Sequence, residues 1–450
     1  MIKINKEYNF RTLNYLGSKL RLLDFIEESI ANVTPIGSGV CDLFAGSGCV
    51  SYKLSRRFPI ISSDIQGYSK VLCDALLREC SISTEEINNL ISVFKTEHAR
   101  KLESAFDEII NIEEKAIKNK DIELLTSILE YGSTEITRLE KNESNIYQNL
   151  LKVSKELADK DLINNKSLIS RYYGGVYFSY RQAVDIDILL EAIHQIYDND
   201  KKNVFLAALL STASDIVNTV GKHFAQPIKA RDTNGKIKSN IVYNKAIKDK
   251  TIKVLPLYME WLNRYIFLPR SNYSHYAAKS DYLESLKNLP NNVKTIYADP
   301  PYTRDHYSRF YHVLETMTLR DSPDISTVKI HGETHFSNGI YRKDRHQSPF
   351  CIRSQAPKAF RQMFQIAAST GRNILLSYSP YDETKKTHPR VVTMQQLIDL
   401  AKEYFTNVKI KSAGYFVHNK LNSTKHFLEA SEEAEVLIIC TNDNINISDD

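Results

Sequence analysis

The sequence predicts an α/β fold: a mainly parallel sheet interrupted by a large, mainly helical insertion. Three stretches carry that expectation. Gly39-Val40-Cys41-Asp42-Leu43-Phe44-Ala45-Gly46-Ser47-Gly48 reads as a strand ending in a glycine turn, with a helix over Cys49 to Arg57 and a second strand over Pro59 to Asp64. Far downstream, Val293 to Ala298 is a short apolar, β-branched run that ends in Asp299-Pro300-Pro301-Tyr302. Between them, Cys73 to about Asn165 is rich in Glu, Lys, Ile and Leu, with no proline and one glycine, Gly132. Its apolar residues have helical spacing, so it does not belong to the sheet.

The chain has 450 residues, enough for two or three units. The boundaries that composition suggests are 1–72 and 271–450 for the sheet, 73–170 for a helical insertion and 171–270 for a second inserted region richer in glycine, aromatic and basic residues. The net charge of +5 is mildly basic. It is compatible with a nucleic-acid partner without demanding one. Six cysteines, none in a Cys-x-x-Cys pair, give no zinc signature. Cys41, Cys49 and Cys440 lie in apolar runs, which suits reduced thiols and a cytoplasmic protein. No run reaches membrane-spanning length, and no apolar signal core opens the chain.

The chemistry begins with the glycine turn. Gly46 and Gly48 allow a tight strand-to-helix turn, and Asp64 follows the second strand. In dinucleotide-binding sheets an acid at that place holds ribose hydroxyls. Ser51 takes the place of the third glycine of that fingerprint, yet the strand–turn–helix–strand–acid order points to adenosine binding. Upstream, Gly17-Ser18-Lys19 precedes a helical run, Leu20 to Ile26. It can aim N–H groups and a charge at an anion, or simply start a helix.

Asp299-Pro300-Pro301-Tyr302 ends a strand where α/β sheets bind ligands. The two prolines lack N–H donors, which leaves the neighbouring carbonyls available as acceptors. A carboxylate, a carbonyl and a flat ring suit an exocyclic NH2 on a planar base. A strand ending in a proline turn with a surface tyrosine is the bland alternative.

The insertion changes character at Arg171. Arg171 to Arg181 is aromatic, glycine-rich and basic, and reads as a stacking surface. Asp187 to Val217 is helical. Val220 to Arg231 is then a basic loop or hairpin in which Lys222, His223, Lys229 and Arg231 are candidates for phosphates. Gln226, or Arg181, is a candidate for a base edge. After the proline motif, Arg304 and His306 are further DNA candidates, and Thr318 to Ser354 reads as a long loop. Helices over Ala356 to Ser369 and Met394 to Tyr404 alternate with strands over Asn373 to Ser379, Val408 to Val417 and Ala434 to Cys440. A polar linker, Lys420 to Glu432, and a frayed tail from Asn442 complete the chain.

The glycine turn and the Asp-Pro-Pro-Tyr motif together resemble an amino-group DNA methyltransferase. Their order resembles the D12 class, the Dam-like family of adenine-N6 methyltransferases. Asn14-Tyr-Leu-Gly-Ser-Lys19 is similar to its N-terminal cofactor motif, Phe44-Ala-Gly-Ser-Gly48 to its FxGxG motif, and Val220 to Lys229 faintly to its G-x-F-N-x-P stretch. The resemblance implies a Rossmann-like class I methyltransferase sheet and transfer of a methyl group from S-adenosylmethionine to a flipped adenine in double-stranded DNA. It implies no metal, and it admits a cognate restriction endonuclease as partner. It places Tyr15, Gly17, Lys19, Asp42, Phe44, Gly46, Gly48, Asp64, Asp281 and Asp299 around the cofactor. Asp299, Pro300, Pro301 and Tyr302 become the catalytic motif. A cytosine-N4 enzyme, an RNA adenine-N6 enzyme and an inactive DNA-binding module are the alternatives.

Overall fold

The computed structural model describes residues 8–304, 306–330, 332–379, 390–413 and 435–442. The linker expected over Lys420 to Glu432 lies outside them, as do the end of the strand expected to reach Val417 and most of the tail. The chain forms two compact units: Met1–Glu79 with Leu268–Ser308 and His346–Asp450, and Cys80–Phe267 with Arg309–Arg345.

The first unit is a seven-stranded sheet. In chain order the strands are β1 (Gly39–Asp42), β2 (Ile60–Asp64), β3 (Tyr276–Lys279) and β4 (Val293–Ala298). A separate hairpin, β5 (Thr327–Ile330) and β6 (Glu333–Phe336), belongs to the second unit. The sheet resumes with β7 (Asn373–Tyr378), β8 (Asn407–Ser412) and β9 (Val436–Thr441). The order across the sheet is β3-β2-β1-β4-β7-β9-β8. Pairings from β3 through β7 are parallel, while β9 is antiparallel to both β7 and β8. β1 and β4 are adjacent, and the chain turns away from them in opposite directions. That junction is the switch point at which sheets of this kind bind ligands.

The strands follow from their residues. β7 and β9 are buried at every position, as uninterrupted apolar runs covered on both faces should be. Alternate residues Ile374, Leu376 and Tyr378, with Val436, Ile438 and Cys440, enter one core. There they meet Phe360, Met363 and Phe364 of helix Ala356–Ser369 and Leu397 and Ala401 of helix Met394–Lys402. β8 is the edge, and its Lys409 and Lys411 discourage further pairing.

The second unit is mostly helical from Thr84 to Ile266. The proposed border at residue 170 runs through its cores. Phe106, Ile109 and Leu150 pack with Tyr180, Val184 and Ile188, and Leu125 and Leu129 pack with Ile228, Val242 and Ala246. The segment after the proline motif, Arg309–Arg345, also belongs to this unit. The stretch read as a loop there holds the β5–β6 hairpin. The single helix read over Asp187 to Val217 is two, Tyr180–His194 and Asn199–Ile216. Asp198 separates them by capping the second, accepting from Asp200 N and Lys201 N at 2.9 and 3.1 Å. Among the described residues no helix is long and apolar enough to cross a membrane.

The aromatic stretch over Arg171 to Arg181 differs most from its sequence reading. Tyr172, Tyr173, Tyr177, Phe178 and Tyr180 are all buried. The tyrosine hydroxyls reach interior acceptors: the single O–H of Tyr177 is shared between the carbonyls of Phe224 and Gly339 at 2.7 and 2.9 Å, and Tyr180 donates to that of Gly132 at 2.8 Å. Gly175 has a positive φ of 76°, and a Cβ there would meet the Tyr180 hydroxyl at 2.6 Å. The composition that suggests a stacking surface is that of a tyrosine-rich core.

An ion pair locks this unit. Lys250, at the end of a π turn, reaches Glu113 Oε1 at 2.7 Å and the Gly175 carbonyl at 2.6 Å, while Glu113 Oε2 accepts from Tyr180 N at 2.7 Å. Both side chains are at most 2% exposed. Breaking a buried pair leaves an uncompensated charge and costs about 3–5 kcal/mol. Lys250→Met should therefore lower the melting transition of the second unit in calorimetry, and an unchanged transition would contradict this reading.

Candidate active site

The glycine turn is built as its sequence suggests. Gly46 and Gly48 have φ of 53° and 76°. A Cβ on Gly46 would lie 2.6 Å from the Tyr15 hydroxyl, so this glycine brings the turn against that ring. Gly48 begins helix Cys49–Ser55, and its Cβ would meet Leu76 at 2.9 Å. It serves helix packing and does not line the cavity described below. Asp64, at the end of β2, orders the turn by accepting from Gly46 N and Gln66 N, each at 2.9 Å. Asp42 ends β1 and is buried, accepting from Ser51 Oγ at 2.6 Å. Ser62 donates to Ser51 at 2.7 Å. Burial pushes the Asp42 carboxyl up to about 7, against the Ser51 bond. The serine in the third glycine position thus has its own task, holding this aspartate.

At the end of β4, Asp299 Oδ2 lies 3.0 Å from Lys19 Nζ, and Glu435 Oε1 lies 3.0 Å from the same nitrogen. Ser377 Oγ donates to Glu435 at 2.8 Å. Because β9 is antiparallel, the residue just before it, Glu435, stands at the carboxyl edge of the parallel strands, beside Asp299. Burial draws Lys19 down, but Asp299 and Glu435 outweigh it and hold the ammonium well above its ordinary value. Burial pushes Asp299 up to about 6, with Lys19 pulling against and Glu435 pushing with it. Its side chain keeps 22% exposure, so the carboxylate is reachable. Among the described residues nothing hydrogen-bonds the Pro300 carbonyl. The Tyr302 ring is fixed by the Arg390 guanidinium, 4.7 Å from its centroid, and by Tyr378 at 5.0 Å.

These groups surround one cavity in the first unit, about 1120 Å³ counting the space open to solvent. Its lining includes Tyr15, Gly17 and Lys19 from the N-terminal stretch, Asp42, Phe44 and Gly46 from β1 and its turn, and Asp64 from β2. Asp281, Asp299, Pro300, Pro301, Tyr302 and His306 complete the expected residues. Asp281 caps the short helix Tyr282–Lys287 through Leu283 N at 2.9 Å. Sequence reasoning missed Tyr307, His346 and Glu435. Tyr307 lines the cavity with its ring 6.0 Å from that of Tyr15. His346 also lines it, its pKa lowered by burial against the opposing pull of Asp281. Arg304 is exposed.

In the second unit the expected DNA residues divide. Gln226 and Lys229 are exposed. Lys222 is spent internally, reaching Asp249 Oδ1 at 2.8 Å and the carbonyls of Asp215 and Val217 at 2.7 and 3.1 Å. His223 is buried, edge-on to Phe310 at 4.9 Å. Arg231 pairs with Glu130 at 3.2 Å and Arg181 with Glu103 at 3.8 Å.

Lys19 offsets two carboxylates, which predicts a sign. In Lys19→Met, Asp299 loses the ammonium that lowers it, so its folded-state value rises further above the unfolded one. The stability of the acid form is then lost as pH climbs from about 4 through that raised value. The deficit of the variant against wild type in thermal midpoint should be larger at pH 8 than at pH 5. Equal deficits would contradict the charge argument.

Comparison with known proteins bears on the same residues. Residues 15–244 match the family described as D12 class N6 adenine-specific DNA methyltransferase. The match takes in the glycine turn, Asp64 and the Val220 to Lys229 stretch, and stops before Asp299. Modification methylase LlaI of Lactococcus lactis subsp. lactis is 21% identical over 430 residues, covering 92% of this chain and 52% of that protein. Type II methyltransferase M.FokI of Planomicrobium okeanokoites is 23% identical, covering 82% and 44%. Type II methyltransferase M.CviAII of Paramecium bursaria Chlorella virus 1 is 23% identical, covering 82% and 83%. The chain thus spans about half the length of the first two relatives. With that family match over half of the chain, and with the glycine turn, Asp64 and the strand-end Asp-Pro-Pro-Tyr around one cavity, the chain belongs to the D12 class of N6 adenine-specific DNA methyltransferases.

Proposed function

We propose that this chain is a site-specific DNA methyltransferase that transfers a methyl group from S-adenosylmethionine to the N6 amino group of an adenine turned out of the duplex. The observation that carries the reading is that Asp64 and Asp299, at the ends of strands flanking β1, face one cavity. Family membership and the type II methyltransferase relatives support it.

The cavity residues fit the methyl donor. Asp64 accepts a backbone N–H on each oxygen, and a carboxylate has further lone pairs through which it would accept ribose hydroxyls. Tyr15 and Phe44 offer apolar faces, and Asp281 lies on the same wall for the adenine. When bound, S-adenosylmethionine supplies an electrophilic methyl group on a sulfonium. The chain's own residues do the rest. The target amine is a weak nucleophile because its lone pair is delocalised into the ring. Asp299 and the Pro300 carbonyl accept hydrogen bonds from its two N–H groups and favour a pyramidal nitrogen with a directed lone pair, a matter of position and electrostatics. Lys19 fixes Asp299 and balances its charge, while Glu435 shares the same ammonium and works against that balance. Tyr302, held by Arg390 and Tyr378, gives the flipped base a face to stack on.

In the second unit, Gln226, Lys229 and Arg231 are the exposed residues offered to base and phosphate, Arg231 while paired with Glu130, and Lys222 and His223 hold the loop that presents them. Duplex DNA is the partner, with a cognate restriction endonuclease belonging to the same reading, and the cytoplasm is the compartment.

Two variants test the assignment with radiolabelled cofactor and duplex DNA. Asp299→Ala should abolish transfer in a folded protein, and near-wild-type turnover would overturn the catalytic role. Asp64→Ala should weaken cofactor binding by about 1.5–3 kcal/mol, the worth of a charged hydrogen bond, and leave duplex affinity intact. Unchanged cofactor affinity in calorimetry would remove Asp64 from the site.

A further inference from the structure

Four arginines lie in the Arg309–Arg345 segment of the second unit, and they are not equivalent. Arg320 pairs with Glu191 at 2.6 Å. Arg342 has two carboxylates, Asp321 at 2.6 Å and Asp344 at 3.2 Å. Among the described residues, Arg309 and Arg345 have no carboxylate partner within ion-pair distance. Both lie instead against one ring. The Arg345 guanidinium is 4.8 Å and that of Arg309 5.8 Å from the centroid of Tyr341. Arg309 is also 5.7 Å from the ring of Phe310.

Two like charges on one ring repel each other, and the stacking does not neutralise them. Arg345 shows the strain: burial and the charge of Arg309 lower its pKa, against Tyr341 and Asp344. Arg309 Nε and Arg345 Nη1 are shut away from water with no acceptor among the described residues. Acid side chains stand nearby, but they are committed to Arg342. The arrangement is short of an anion.

The ring itself is tied to a loop already marked for DNA. The Tyr341 hydroxyl donates to the carbonyl of Ala225, next to exposed Gln226. His312 meets the ring edge-on at 5.2 Å. The two charges and the Gln226 loop are therefore held to one another through a single side chain.

We propose that Arg309 and Arg345, held on the ring of Tyr341, form a clamp for a phosphodiester group of the DNA backbone and fix it relative to the Gln226 loop. The inference rests on the DNA reading above and extends it to residues that neither motif nor resemblance singles out. Planar guanidinium donors match phosphate oxygens, and such a contact gives affinity and register without sequence information.

The test uses the full chain, with Arg309→Gln, Arg345→Gln and the pair. Glutamine keeps an aliphatic stem on the ring, and a Lys pair keeps the charge as a control for packing. Duplex binding is measured over a salt series. Each Gln variant should reduce the slope of log affinity against log salt by about 0.9, and the pair by about twice that. The Lys pair should keep the slope, and the ranking of sites in a randomised library should not move. A wild-type slope in the Gln pair overturns the clamp, while DNA binding by the wild type leaves the functional reading standing. A wild-type chain that does not bind duplex overturns both. Saturable binding of inorganic phosphate that the Gln pair loses, with the duplex slope unchanged, would assign the arginines to a free anion and also overturn the clamp.

Discussion

The first unit depends on one ammonium. Lys19 comes from the N-terminal stretch, Asp299 from the end of β4 and Glu435 from just before β9, so a single nitrogen ties together residues 416 apart in the chain. Two carboxylates in a shielded place repel each other and lose hydration. Lys19 is the counter-charge that makes their juxtaposition tolerable. The topology supplies the rest. Parallel strands β1, β2 and β4 deliver Asp42, Asp64 and Asp299 to one edge of the sheet, and the antiparallel strand β9 delivers Glu435 to that edge from the opposite direction. Remove the antiparallel insertion and Asp299 would have a lysine partner with no second acid to share it.

The three aspartates differ in what surrounds them, and that separates their roles. Asp42 is closed in by Ser51 and pushed up by burial, which suits an acid held fixed in the cavity wall. Asp64 takes backbone N–H groups and shapes the turn while facing the cavity. Asp299 pairs with Lys19 and keeps a part of its surface open. Residue type alone does not distinguish them.

Local patterns were legible. The strands β1, β2, β4 and β7, the glycine turn, Asp64 and the Asp-Pro-Pro-Tyr motif all announce themselves within a few residues, because strand periodicity and turn chemistry act over that range. What escaped depends on distant partners. Nothing near Glu435 distinguishes it from any acid before a strand, and Ser51 shows its use only once Asp42 stands beside it. The tyrosines from Tyr172 to Tyr180 look the same in composition whether they face DNA or a core, and their buried carbonyl partners decide the matter. Lys222 and His223 look like free basic residues of a basic loop, but Asp249 and Phe310, which occupy them, are far away in sequence. The return of Arg309–Arg345 to the second unit was equally invisible, since a loop-like composition does not say which body it joins.

Methylation of an amino group on DNA is tested by sequencing modified bases in DNA from cells that express the chain and from cells that express Asp299→Ala. N6-methyladenine is expected at one short recognition sequence in the first and none at that sequence in the second. N4-methylcytosine instead, or no modified base from a folded and expressed wild-type chain, would contradict that expectation.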